Sequence, residues 1–373
     1  MKSSFTIGKL FGIPVKIHFS LLIILPFFAW AFGSNIAYLT EYTDIARREL
    51  VLSPYLLGSI MAVLLFASVL AHELAHALMA RSKGLETNDI TLMLLGGLAS
   101  MEDISEEPEN EIKIAASGPL TSLVLGIVLV LLSSLAPNFI LEDIRLVILY
   151  TGQLNIFLAI FNLLPAFPSD GGRILRAFIA RKKSMREATR IATKVGKSFA
   201  IFFGVLGFMS GNFLLIFIAI YLYVSATQED QFSNIKSALS DLTVGDLMTE
   251  DVKTVPVNYS VHQLLEKMFE VKHSGFPVTR DGNVVGIVTM EDAQKIPQSE
   301  YRNTPVQSIM EEDIHTVKQC DALIKAFELL FQKDIGRLIV VDENGDMEGI
   351  ITRSDVLTGI RVQQLEKIKK RED

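Results

Sequence analysis

His72-Glu73-Leu74-Ala75-His76 sets two imidazoles four residues apart with a carboxylate between them. On an α-helix, residues at that spacing share one face, so His72 and His76 can hold one metal ion together. Imidazole is a usual ligand of zinc. Glu73 sits one residue along, where the H-E-x-x-H arrangement of zinc proteases places its general base. The motif lies in an otherwise apolar run from Met61 to Met79, and ionisable groups at membrane depth are costly and mostly functional. Three polar residues facing a polar bundle interior without a metal fit the same pattern. Zinc needs a further protein ligand and an open position. His18 precedes the core of the first apolar run, and His262, His273 and His315 fall in the charged C-terminal part. A carboxylate is better placed. Asp170 stands in Asn162-Leu-Leu-Pro165-Ala-Phe-Pro168-Ser-Asp170-Gly171-Gly172-Arg173. The prolines break a helix there, and the glycines permit unusual backbone angles. An unwound turn with one carboxylate is tolerated at membrane depth where it lines a protein cavity. A helix-ending turn with a solvated Asp170 reads equally well.

These residues need a membrane-spanning frame. A bilayer core of ~30 Å takes about 20 apolar residues in a helix. Six segments approach that, at 14–33, 54–81, 112–136, 143–166, 192–209 and 212–226. The last pair, separated by Ser210, Gly211 and Asn212, forms either a tight hairpin or one broken span. Nine cationic residues from Arg173 to Lys197 mark a cytoplasmic stretch, because Lys and Arg concentrate on that side. Counting back through four spans puts the N-terminus, with Lys2, Lys9 and Lys16, in the cytoplasm. The 34–53 loop then lies outside with only Arg47 and Arg48, and the 137–142 loop carries no cation. A hairpin for the last pair returns the chain to the cytoplasm, so six spans in the cell membrane are expected. Ile90 to Met101 is apolar with Gly96 and Gly97, and reads as a strand or a re-entrant loop. As a strand, its edge would pair with an extended substrate. The acidic residues Glu102, Asp103, Glu106, Glu107, Glu109 and Glu111 read as a solvated cytoplasmic loop.

His72-Glu-Leu-Ala-His76, together with Asn162, Pro165, Pro168, Asp170 and Gly171, resembles the site-2 protease family of intramembrane metalloproteases. Ala116-Ser-Gly-Pro-Leu120 is similar to a further segment of that family. The resemblance covers roughly residues 1–227. It implies that His72, His76 and Asp170 bind one zinc ion, that Glu73 activates water, and that Asn162 helps hold the substrate or the oxyanion. It also implies transmembrane proteins as substrates. Many members have Leu-Asp-Gly where this chain has Ser169-Asp170-Gly171, a small departure beside a ligand.

The rest of the chain repeats. Thr243-Val-Gly-Asp-Leu-Met248 recurs at Thr304–Met310, and Gly286-Ile-Val-Thr289-Met-Glu-Asp292 recurs as Gly349-Ile-Ile-Thr352-Arg-Ser-Asp355, at an offset of 61–63 residues. Each copy pairs an amphipathic helix, 260–272 or 321–333, with two strands around an Asp-Gly or Glu-Asn-Gly turn. This predicts two α+β units packed as a pair. The repeat resembles a tandem pair of CBS domains. That implies an adenine nucleotide held at the ribose by Thr289, Asp292, Thr352 and Asp355, with Arg337 and Arg353 near phosphates. Dimerisation through the pair, with Thr and Asp serving only as turn caps, is the other role it implies.

The expected organisation is a polytopic α-helical membrane domain at 1–227, a linker at 228–242, repeats at 243–299 and 304–361, and a charged, frayed helix at 362–373. The net charge is +2 up to residue 227 and −9 beyond it. Neither part is basic enough for nucleic acid. Cys320 is the only cysteine, which excludes an internal disulfide and a cysteine zinc site and reads as structural. The first apolar run is too long for a cleaved signal. A membrane transporter or channel with the same regulatory tail is the competing function, since intramembrane His and Glu also relay ions. The H-E-x-x-H spacing and Asp170 weigh against it.

Overall fold

The computed structural model describes residues 4–41, 43, 45, 50–93, 96–101, 107–135 and 141–372. It divides into two units, Met1–Ser233 and Asn234–Asp373. Arg47, Arg48, Glu102, Asp103, Glu106 and residues 137–140 lie outside the described residues.

The first unit opens with strands β1 (Ser4–Leu10) and β2 (Ile13–His18), followed by helices α1 (Phe19–Ser34) and α2 (Ile36–Glu41). The first expected span is corrected at its start, because residues 14–18 are strand. Ile13 and Val15 are buried while Lys16, the residue after them, pairs with Asp89 at 2.8 Å, the alternation of a strand with one covered face. With 16 residues, α1 is short of the ~20 that a perpendicular crossing needs. After a single break at Asn35, α2 extends the helical stretch to Glu41.

Helices α3 (Pro54–Ser82), α4 (Pro108–Leu135), α5 (Glu142–Asn162), α7 (Met185–Ser210) and α8 (Phe213–Leu239) are long and apolar enough to cross a membrane. Between α5 and α7 runs the short helix α6 (Asp170–Ala180). Gly211, with φ at 66°, ends α7 in the left-handed conformation, so the last apolar pair is two helices and not one broken span. Leu120, Val124, Val128 and Leu131 of α4 are each more than half exposed. Such an apolar band is the surface that hydrocarbon covers. Inside the bundle, glycines let backbones meet. A Cβ on Gly126 of α4 would lie 2.8 Å from the carbonyl oxygen of Gly152 on α5, and a Cβ on Gly58 of α3 would lie 2.5 Å from the amide of Gly33 on α1. Close backbone contact of this kind replaces the hydrophobic effect as the glue between helices in lipid.

The 90–101 stretch is strand. β3 (Thr87–Met93) and β4 (Gly96–Met101) pair antiparallel, and β3 runs parallel to β2, giving the sheet order β1-β2-β3-β4. Among the described strands β4 has β3 as its one neighbour.

The second unit holds the repeats. The first comprises β5 (Val255–Pro256), α9 (Val261–Val271), β6 (Gly275–Arg280), β7 (Asn283–Thr289) and α10 (Met290–Gln294). The second comprises β8 (Thr316–Lys318), α11 (Leu323–Gln332), β9 (Arg337–Val341), β10 (Met347–Thr352) and α12 (Arg353–Glu372). Each makes a three-stranded sheet. The cores exchange their leading segments. Val244, ahead of the first repeat, is buried with Val317, Leu323 and Val340 of the second, while Val306 is buried with Val255, Val261 and Val278 of the first. The segment read as a linker at 228–242 is helical as far as Leu239, because α8 continues into it. Cys320 is an exposed thiol.

Candidate metal centre

The last three turns of α3 carry the motif. His72 and His76 are buried and Glu73 is half-buried. The imidazoles face each other at 4.8 Å between centroids, inclined by 76°. Asp170, the first residue of α6, comes in from the other side. Its Oδ2 lies 3.1 Å from His72 Nε2 and 3.3 Å from His76 Nε2. One donor atom from each of the three lies within 4.8 Å of the others. Around a tetrahedral zinc with bonds near 2.0–2.1 Å, ligand atoms sit about 3.3 Å apart. The N, N, O donor set and its spacings fit that ion and leave a fourth position.

The outer nitrogens fix which ones point inward. His76 Nδ1 donates to the Ile114 carbonyl at 2.7 Å, and His72 Nδ1 is hydrogen-bonded to Ser122 Oγ at 2.9 Å. A histidine that bonds a carbonyl through one nitrogen keeps the other free for a metal. Both supports come from α4, and that helix approaches closely because residue 118 is glycine. A Cβ there would lie 2.2 Å from His76 Nε2 and 2.7 Å from His72 Nε2. Sequence reasoning passed over Ser122, Ile114 and the role of Gly118. The signal was present as small residues, Ala115-Ala-Ser-Gly, in an apolar helix, the composition of a close interface in lipid.

The turn before Asp170 is held by its own polar atoms. Ser169 Oγ is 2.6 Å from both the Leu164 and the Ala166 carbonyls, which gives the departure at this position a purpose. Gly171 and Gly172 have a different reason from the one expected. Both are helical residues of α6. They are needed for space, since a Cβ would meet the Leu163 carbonyl oxygen at 2.3 Å or the Phe167 amide at 2.7 Å. Glu73 lies within electrostatic reach of His76, His72, Asp170 and Arg173. Asn162 ends α5 and is half-buried, with its amide donating to the Leu158 carbonyl at 3.1 Å. In this state that amide is committed to its own helix.

In the tail, Thr289 and Asp292 bond each other at 2.6 Å, as do Thr352 and Asp355 at 2.7 Å. Each pair caps the helix that follows it. The two differ in surroundings. Lys295 takes the other oxygen of Asp292 at 2.7 Å. Burial pushes that carboxyl up, but Lys295 and Thr289 outweigh it and hold it below the usual range. Thr352 and Asp355 instead line a cleft of about 470 Å³ together with Lys253, Lys272, Arg337 and Arg353. Arg353 is tied to the Ile335 and Leu330 carbonyls and to Asp334. Arg337 has a buried Nε without a partner, and burial lowers its guanidinium below the usual arginine value, with Asp292 acting in the opposite sense.

The sequence model of peptidase family M50 matches residues 60–144 and 138–203, and that of the CBS domain matches 244–297 and 306–361. A zinc metalloprotease of Methanocaldococcus jannaschii is 30% identical over 368 residues, covering 98% of this chain and 99% of its own. A relative from Synechocystis, whose name also includes zinc metalloprotease, is 29% identical over 370 residues, covering 96% of this chain and 95% of its own. Among solved structures, the site-2 protease of Methanocaldococcus jannaschii is 31% identical with a TM-score of 0.43, covering 61% of this chain and 95% of that one. Identity of 30% along nearly the full length of a zinc metalloprotease, together with the matching family models, makes this chain a member of peptidase family M50, the intramembrane metalloproteases of site-2 type, with a tandem CBS pair after its membrane domain.

Proposed function

We propose that the chain hydrolyses peptide bonds of transmembrane proteins, with one zinc ion held by His72, His76 and Asp170 and with Glu73 as general base. The observation that carries this is the convergence of three buried donors from two helices at zinc spacing. Zinc bound there supplies Lewis acidity toward the scissile carbonyl and toward water. Glu73 takes the proton of the attacking water and passes it to the leaving amine. Asn162 donates to the developing oxyanion once its amide leaves the Leu158 carbonyl. β4, whose one neighbour among the described strands is β3, receives the substrate as an added strand on its other edge, because a helical substrate hides its carbonyls. Arg173 to Lys197 faces the cytoplasm of a cell membrane, as do the N-terminus and the tail. Stripping the metal with a chelator is expected to stop cleavage of a single-span substrate, and one equivalent of zinc to restore it. Cleavage that continues in the metal-free chain would remove this reading.

The tail is proposed to bind an adenine nucleotide and to regulate access of substrate. The cleft at Thr352 and Asp355 is the better of the two candidate sites. It gathers basic residues for phosphates, and the buried Nε of its Arg337 has no hydrogen-bond partner. Titration of ATP into the full chain should give one site. Asp355→Ala should weaken it by about 10-fold or more, the worth of a hydrogen bond to a charged group, and Asp292→Ala should leave it near the parent value. Equal loss in the two variants would argue against a single site.

A further inference from the structure

Arg176 lies on α6, outside the donor cluster, and its guanidinium reaches three elements at once. Nε donates to Glu111 Oε1 at 2.8 Å, and Nη2 donates to the same carboxylate. Nη1 donates to Glu229 Oε1 on α8 at 2.7 Å. The guanidinium carbon sits 5.3 Å from the centre of the Phe167 ring. Glu111 is 1% exposed, so this is a desolvated charge pair and not a surface contact. A planar guanidinium fork fixes direction as well as distance.

Two of these contacts lead to the metal centre. Glu111 is on the first turn of α4, three residues before Ile114, whose carbonyl accepts the hydrogen bond of His76 Nδ1. Phe167 is buried in the turn that delivers Asp170, and Gly172 packs on its backbone. Arg176 itself is two turns along the helix that Asp170 begins. Locking α6 to α4 through Glu111 therefore fixes the Asp170 carboxylate relative to both imidazoles. The Glu229 arm, 32% exposed, holds the other side of the fork.

We propose that Arg176 is a positioning residue of the metal centre, which sets the spacing of Asp170 from His72 and His76 by clamping α6 between Glu111 and Glu229. The proposal rests on reading those three residues as the metal ligands.

The test uses the full chain loaded with cobalt in place of zinc, since cobalt's visible spectrum reports ligand geometry. Its rate of loss to a chelator is followed in the parent, Glu229→Gln, Arg176→Lys and Arg176→Gln. Weakening the support of a metal ligand typically costs 10–100-fold in affinity. Glu229→Gln should bind one cobalt with an altered spectrum and release it about 10-fold faster. Arg176→Lys keeps the charge but loses the fork, and should fall between the parent and Arg176→Gln. Should Arg176→Gln fail to fold, the half-exposed Glu229 still decides the matter. Parent-like spectra and release rates in both Glu229→Gln and Arg176→Lys would overturn the proposal. A parent chain that takes up no cobalt would instead overturn the reading of the ligands, and this proposal with it.

Discussion

Glu73→Gln keeps its zinc and loses cleavage by at least about 100-fold, within the 10²–10⁴ that a positioned acid–base group contributes. Glutamine has the shape of glutamate but cannot accept a proton. The three donors are untouched, so metal content stays at that of the parent. The expected split, with zinc retained and turnover lost, separates a general base from a ligand. It is checked by zinc analysis of the purified variant beside cleavage of a single-span substrate. A Glu73→Gln chain that cuts at the parent rate would exclude Glu73 from the chemistry.

His76→Ala and Asp170→Ala lose both metal and activity. Removing a ligand costs more than removing its support, so zinc affinity should drop by more than about 100-fold, beyond the upper end for a supporting hydrogen bond. Ser122→Ala removes only the partner of His72 Nδ1 and should fall by about 10-fold. This ordering, ligands well below Ser122→Ala and Ser122→Ala below the parent, is read by competition with a chelator of known affinity. Asp170→Ala binding zinc as tightly as the parent would leave the third ligand to be found elsewhere.

Much of the centre could be read from local spacing. His72 and His76 share a helix face by arithmetic, and the structure sets their rings together. Asp170 was singled out where prolines and glycines mark an unwound turn, but its residues read equally well as a solvated helix end, and its role as a ligand came from the family resemblance. Its arrival at the histidines depends on how α6 meets α3, which no local pattern encodes. The same limit applies to Ser122 and Ile114, which act through the crossing of α4 over α3. Gly171 and Gly172 were rightly singled out, but composition cannot tell a glycine kept for its backbone angles from one kept for a close approach. Residues 14–18 were absorbed into the first span because hydropathy averages over the strand alternation of Ile13 to His18. In the tail the repeat was visible, whereas the exchange of Val244 and Val306 between cores was not. Repeat periodicity fixes the unit of sequence and leaves open which neighbour each segment packs on. Arg176 looked like one of many charges in a cationic stretch, and only its partners reveal the buried pair with Glu111.

The most direct test of the account is mass spectrometry of the fragments released from a single-span membrane protein by the purified, zinc-loaded chain in lipid. The account predicts one cut within the apolar span of the substrate, its two fragments together heavier than the parent by one water, present with the parent enzyme and lost with Glu73→Gln. Fragments that persist with Glu73→Gln, or that end only in loops outside the span, would contradict it.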